Sequence, residues 1–285
     1  MNQFDRNILF SRMIGLVSQS ELDGLAGKRV AVPGCGGTGF TYAECLVRMG
    51  VGAINIADAD TFGPENMNRQ FGCTVDTIGL KKSQVLSERL KAINPAMDVQ
   101  VVDFLTEENV DEYLEGVDVV CDTLDFFVAA PRRLLYKAAR AKGITVIICC
   151  PVAFGVTAHV FEPDGITFES FFGIDESQSE TEQLVRFGQG LTPSSLFKAY
   201  TESPSLDFEA KSVASLSASC LMATSFGSML ALMKLLNIEP GLKPAPYSYE
   251  FDLRAGAFKE NLTEANVGEA GATESSKYAA SVGSA

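Results

Sequence analysis

The stretch Val30-Ala31-Val32-Pro33-Gly34-Cys35-Gly36-Gly37-Thr38-Gly39 decides the fold. Val30 to Val32 open a strand, and Gly34 begins a glycine turn. A helix from about Thr38 to Met49 follows. Ile54 to Ala57 then form a second strand that ends at Asp58. Strand, glycine turn, helix and strand make a parallel crossover unit. The same rhythm runs downstream. A helix over 77–93 is stopped by Asn94-Pro95, and a third strand spans 99–102. Thr106-Glu107-Glu108 reads as a helix start with a threonine cap. A fourth strand over 117–121, a helix over 131–142 and a fifth strand over 144–149 complete the series. Such alternation predicts an α/β, doubly wound, mostly parallel Rossmann-like sheet.

Upstream, residues 11–25 read as a helix. Past Pro151 the pattern changes. Residues 162–211 show little periodicity and read as a long segment crossing one face. From Ser212 to Met233 the chain carries no charge, long enough to span a bilayer. Its Ser, Ala, Gly and Thr content and the lack of a basic flank predict a buried, closely packed helix over 212–236 instead. Tyr247 to Leu253 form a late strand. Residues 1–254 thus read as one domain and 255–285 as a flexible tail.

Composition narrows the function. The net charge of -13 argues against a general nucleic-acid or anionic-membrane binder. A single histidine, His159, leaves no multi-histidine metal site and fits a strand core better than catalysis. Seven cysteines include no CxxC pair, so no zinc is expected. The start MNQFDRN lacks a signal pattern, and the expected compartment is the reducing cytoplasm.

The chemistry lies behind the glycine turn. Gly34, Gly36 and Gly39 match GxGxxG between a strand and a helix, where backbone N–H groups meet phosphates. Asp58, at the end of the second strand, suits a ribose hydroxyl. Up to this point a dinucleotide and ATP fit equally. Asp60, Asn66, Arg69, Gln70 and the pair Lys81-Lys82 favour a triphosphate, because Arg forks two phosphate oxygens and Lys supplies a point charge. Spacing favours Lys82 over Lys81. Asp125 follows the fourth strand at the ligand edge of the sheet, where a carboxylate facing a polyphosphate holds Mg²⁺. Asp122 reads as a cap for the turn that presents Asp125.

Together these residues resemble the E1-like activating enzymes of the ThiF/MoeB/HesA group. The shared pattern is GxGGxG, DxD, NxxRQ, a following lysine and DxxD, over roughly residues 5–160. The resemblance implies that Gly37 and its neighbours contact ATP and that Asp58 binds the ribose. It places Asn66, Arg69, Gln70 and Lys82 around the phosphates and Mg²⁺ on Asp125. It also sends Arg6 into the site of a neighbouring subunit, which implies a homodimer. The implied reaction joins a carboxylate to the α-phosphate of ATP, giving an acyl-adenylate and pyrophosphate. The commonest family substrate is the Gly-Gly end of a ubiquitin-like or sulfur-carrier protein.

Two departures mark a divergent branch. The zinc-binding cysteine pairs are absent, and Phe126-Phe127 follow Asp125, which suggests a more apolar substrate pocket. No cysteine falls within 151–219, so no thioester is expected. The alternatives are a tRNA-modifying dehydratase of the same superfamily, an NAD-binding oxidoreductase and a catalytically silent nucleotide-fold partner. The oxidoreductase leaves NxxRQ and the lysine unexplained.

Overall fold

The computed structural model describes residues 5–201, 206–239 and 241–263. The helices are α1 (Arg6–Leu9), α2 (Gln19–Leu25), α3 (Gly39–Arg48), α4 (Lys82–Ile93), α5 (Val110–Tyr113), α6 (Ala129–Ala141), α7 (Phe168–Phe172), α8 (Glu180–Leu191) and α9 (Ser217–Leu235). The strands are β1 (Arg29–Pro33), β2 (Ala53–Ala57), β3 (Asp98–Val102), β4 (Val119–Asp122), β5 (Thr145–Val152), β6 (Gly155–Phe161), β7 (Leu206–Asp207), β8 (Ser212–Val213), β9 (Tyr247–Asp252) and β10 (Ala257–Leu262).

Eight strands form one sheet in the order β10-β9-β6-β5-β4-β1-β2-β3. The five from β5 to β3 in that order are parallel, and β6, β9 and β10 extend the sheet antiparallel. Because helices cover both faces, the inner strands are apolar on both sides. Val30, Val32, Ile54 and Ile56 face α2, α3, α4 and α9, while Ala31, Val120, Val146 and Ile148 face α5 to α8. The chain reverses its winding between β1 and β4, and the loops after those strands therefore flank a crevice at the carboxyl edge.

The apolar helix expected over 212–236 is α9. It starts later, at Ser217, because Ser212–Val213 pair with Leu206–Asp207 in a small hairpin. Small residues let α9 pack closely on α3: the Tyr42 ring occupies the space a Cβ on Gly227 would need. Thr41 and Thr224 hydroxyls meet there at 2.6 Å. By length and composition α9 could cross a membrane, but half of it is buried against the protein.

Several boundaries differ from the sequence expectation. The helix expected over 11–25 is broken at Gly15, whose φ of 107° is left-handed, and α2 starts only after the Ser18–Glu21 capping box. Residues 77–81 are not helical, because that segment folds back on Asp60 to Phe62. The turn at Thr106 closes on the Asn109 side chain, and α5 begins at Val110. The crossing segment holds α7 and α8, each capped by its own Thr167 or Ser179. Residues 257–262, read as the start of a tail, form edge strand β10 against β9. Polar composition hid that strand because one of its faces meets solvent. The rest of the expected tail, from 264 on, lies outside the described residues.

His159 is a core residue. It sits in β6, 1% exposed, edge-on to Phe171, with Nε2 donating to the Gly190 carbonyl at 3.3 Å. Burial lowers its pKa to about 4. The unfolded chain binds that proton near pH 6.5, so this stability is full above that pH and is lost as pH falls toward 4, about 3 kcal/mol in all. Urea titrations between pH 7 and 4 should therefore show a smaller stability loss for His159→Gln than for the parent chain.

Candidate active site

The glycines of the turn do different work. Gly34 has φ 94°, and a Cβ there would lie 2.5 Å from the Thr123 carbonyl oxygen. A Cβ on Gly39 would strike the Gly34 carbonyl. Thr123 closes this contact by donating its hydroxyl to the Pro33 carbonyl at 2.6 Å. Gly34 and Gly39 are thus required by the clip between the ends of β1 and β4. Gly37 is tight against Cys220 Sγ, 3.0 Å from a would-be Cβ. At Gly36 the protein itself imposes nothing: a Cβ would meet only the Gln70 amide at 3.7 Å. Gln70 is buried, and its Oε1 has no hydrogen-bond partner. A cradle open to a Cβ and faced by the Gln70 amide nitrogen, a hydrogen-bond donor, fits a phosphate or another acceptor group, while the unpaired Oε1 would need a donor.

Asp58 is held by the same turn. Its Oδ2 accepts from Cys35 N–H at 2.6 Å and its Oδ1 from Asp60 N–H at 2.8 Å. Burial raises its pKa, opposed by these two hydrogen bonds and by Lys82. Its oxygens keep further lone pairs for a pair of hydroxyls. Lys82 N–H donates to the Asp60 carbonyl, and Lys82 Nζ to Asp60 Oδ2 at 3.0 Å. The bridge between Thr61 and Lys81 and the bond from Phe62 N–H to Leu80 close the loop 63–80 and deliver Lys82 beside Asp58. Lys82 is 6% exposed. Lys81 points the other way, to Asp103 at 3.0 Å on the surface.

Inside that loop the buried Asn66 serves the turn. Its Oδ1 accepts from Gly63 N–H at 3.0 Å, and its carbonyl accepts from Arg69 and Gln70 N–H. Arg69 lies against Gly37 and gives one Nη to the Glu65 carbonyl and the Asn68 side chain. Three of its five N–H groups are left for a ligand.

On the other wall, Asp122 Oδ1 accepts from Leu124 N–H at 3.1 Å, the capping read from the sequence. Its Oδ2 accepts from Arg132 Nε at 2.9 Å, and both side chains are buried. Arg132 also donates to the carbonyls of Leu124 at 2.6 Å, Asp125 at 3.0 Å and Val128 at 3.2 Å. One guanidinium thus shapes the whole loop that exposes Asp125. Sequence reasoning passed over Arg132 because one arginine early in a helix looks like a surface charge, and it passed over Thr123 likewise. Phe126 packs on Phe187 and Phe127 on Phe208, fastening α8 and the β7–β8 hairpin to the loop.

The structure brings together Gly34, Gly36, Gly37, Gly39, Asp58, Asp60, Arg69, Gln70 and Lys82, with Asn66 beneath them and Asp125 on the facing loop. It does not bring Arg6. That side chain donates to the Gly50 and Leu22 carbonyls at 2.7 and 3.2 Å. Gly50 lies beyond the far end of α3, a helix about 15 Å long by its residue count. Among the described residues, no group of three or more His, Cys, Asp or Glu is close enough to hold a metal ion. Asp125 would hold Mg²⁺ only with phosphate oxygens completing the shell, which is how that ion binds with a single carboxylate. Five cysteines are unsuited to attack: burial raises the thiols of Cys35, Cys121, Cys149, Cys150 and Cys220, Cys149 to about 12.

The ThiF family model matches residues 4–269. The chain belongs to the ThiF family. It is 40% identical over 134 residues to the tRNA threonylcarbamoyladenosine dehydratase of Escherichia coli strain K12, covering 46% of this chain and 49% of that protein. The Sulfur carrier protein ThiS adenylyltransferase of the same strain is 34% identical over 166 residues, covering 56% and 64%. The chain thus spans about half the length of the first relatives it matches. The E. coli tRNA N6-threonylcarbamoyladenosine dehydratase, solved in complex with ATP, shares the fold with a TM-score of 0.60 and 23% identity, over 81% of this chain and 95% of that one.

Proposed function

We propose that this protein is an ATP-dependent adenylyltransferase that activates a carboxylate as its acyl-adenylate. The observation that carries this reading is the open cradle at Gly36, faced by the Gln70 amide nitrogen, with Arg69 against the neighbouring Gly37 and Lys82 beside Asp58 and Asp60. A nicotinamide cofactor would leave those two cations without work. In the reaction a carboxylate oxygen forms a bond to the α-phosphorus, the bond from that phosphorus to the bridging oxygen breaks, and pyrophosphate leaves with the electron pair. The carboxylate is ionised at neutral pH, so no general base is needed. Asp58 fixes the ribose. Arg69 and Lys82 neutralise charge that shifts onto the phosphate oxygens. Asp125 would hold Mg²⁺, which would supply further charge neutralisation.

The leading substrate is the C-terminus of a small ubiquitin-like or sulfur-carrier protein, in keeping with the ThiS adenylyltransferase among the relatives. The 40% identity to a tRNA-modifying dehydratase favours a second reading, a carboxylate on a tRNA base, against which the net charge of -13 counts. ATP–pyrophosphate exchange with a Gly-Gly-ended carrier and with modified tRNA separates the two. Exchange with neither would sink both. The cytoplasm, with ATP at hand and thiols reduced, is the matching compartment.

The reading includes a homodimer in which Arg6 of one subunit completes its partner's site. Exposed Ile8, Ile14 and Leu16 on the N-terminal arm suit burial against a second copy. Reaching across requires Arg6 to release Gly50 and Leu22. Arg6→Ala and Asp125→Ala proteins should each be nearly inactive and should regain activity when mixed. A strictly monomeric protein by sedimentation, or full activity in Arg6→Ala alone, would remove the homodimer from the account.

A further inference from the structure

At the carboxyl edge of the sheet, beyond the nucleotide cradle, Arg254 is held between two rings. Its guanidinium carbon lies 4.5 Å from the Tyr200 ring centre and 5.2 Å from that of Phe154. The two rings meet edge to face at 5.6 Å. Both are fixed. Tyr200 donates its hydroxyl to Asp252 at 2.6 Å and accepts from Phe154 N–H at 3.2 Å. Phe154 sits on the β5–β6 turn, where Ala153 takes a left-handed φ of 48°. Leu253 N–H ties the β9–β10 turn to the Phe154 carbonyl. Among the described residues Arg254 has no carboxylate within ion-pair distance and no hydrogen-bond acceptor. This arginine is immobilised between two rings, and among the described residues its donors meet no protein partner. Phe154 and Leu253 remain 43% and 65% exposed beside it and give the spot an apolar rim.

The clamp is mechanically continuous with the cradle. Ser219 donates to the Ala153 carbonyl at 2.6 Å, and the next residue, Cys220, is the one packed under Gly37. Resting on the adenylation reading above, we infer that Arg254, with Phe154 and Tyr200, is a specificity subsite that takes an acidic side chain of an extended peptide whose terminal carboxylate enters the nucleotide cradle. The sheet sets the spacing. Arg254 follows β9, three strands from β4 and its Asp125. Strands about 4.8 Å apart put the two about 14 Å from each other, and an extended chain covers that in about four residues. The acidic residue is therefore the fourth or fifth from the end of the peptide. A guanidinium pre-ordered by two rings loses little freedom on pairing.

Seven-residue peptides ending in Gly-Gly, each with one Glu, Gln or Lys scanned along the chain, test this. Fluorescence anisotropy with a non-hydrolysable ATP analogue reads binding, and pyrophosphate exchange is read separately. The parent protein should prefer Glu over Gln at the fourth or fifth position from the end by about tenfold, the size of a charge-assisted hydrogen bond. In Arg254→Gln that ratio should fall to about one, and in Arg254→Glu the preference should turn to Lys. Discrimination in binding without exchange keeps the subsite and sinks the adenylation reading; exchange without discrimination does the reverse. A Glu preference that survives Arg254→Gln overturns the inference. So does a tRNA transcript that alone loses binding in that variant.

Discussion

Arg132→Met is expected to destabilise the protein by about 3–5 kcal/mol, because it leaves the Asp122 carboxylate charged in the core without its cation. Arg132 and Asp122 are 2% and 3% exposed, so solvent cannot replace the lost bonds. The carbonyls of Leu124, Asp125 and Val128 lose their shared donor at the same time. Urea unfolding measures the loss. The double variant Arg132→Met with Asp122→Asn separates two effects. It should recover part of the stability, since no charge is then buried alone, yet not the activity, since the loop carrying Asp125 stays unshaped. Full recovery of both would show that Arg132 serves the core only.

The second large effect is expected at Lys82. Lys82→Ala should lower exchange activity by about 100- to 1,000-fold, the range for removing one group that meets transition-state charge. The fold should survive, because the partner left behind, Asp60, is exposed and can be hydrated. Lys81→Ala is the control. Its ion pair with Asp103 lies on the surface, and such pairs contribute at most about 1 kcal/mol. Equal losses in the two variants would remove Lys82 from the chemistry.

The parallel core was legible because buried strands and helices impose their periods on the sequence, and Gly34 to Gly39 announced where the winding begins. Spacing favours Lys82 over Lys81, and the backbone pairing of 60–62 with 79–82 turns the two lysines to opposite sides, Lys82 to Asp60 and Lys81 to Asp103. Arg132 and Thr123 were not legible, since their partners are mostly backbone carbonyls that leave no mark in sequence. Nor was the strand at 257–262, whose polar face reads like a tail. Arg6 enters the reading only through family resemblance; within the chain it donates to the Gly50 and Leu22 carbonyls.

Calorimetric titration with Mg·ATP and with NAD⁺ and NADH, on the parent protein and on Asp125→Ala, tests the central claim most directly. The account predicts binding of Mg·ATP, no binding of either nicotinamide cofactor, and loss of the magnesium dependence in Asp125→Ala while the protein remains folded. Tighter binding of NAD⁺ or NADH than of Mg·ATP would contradict it.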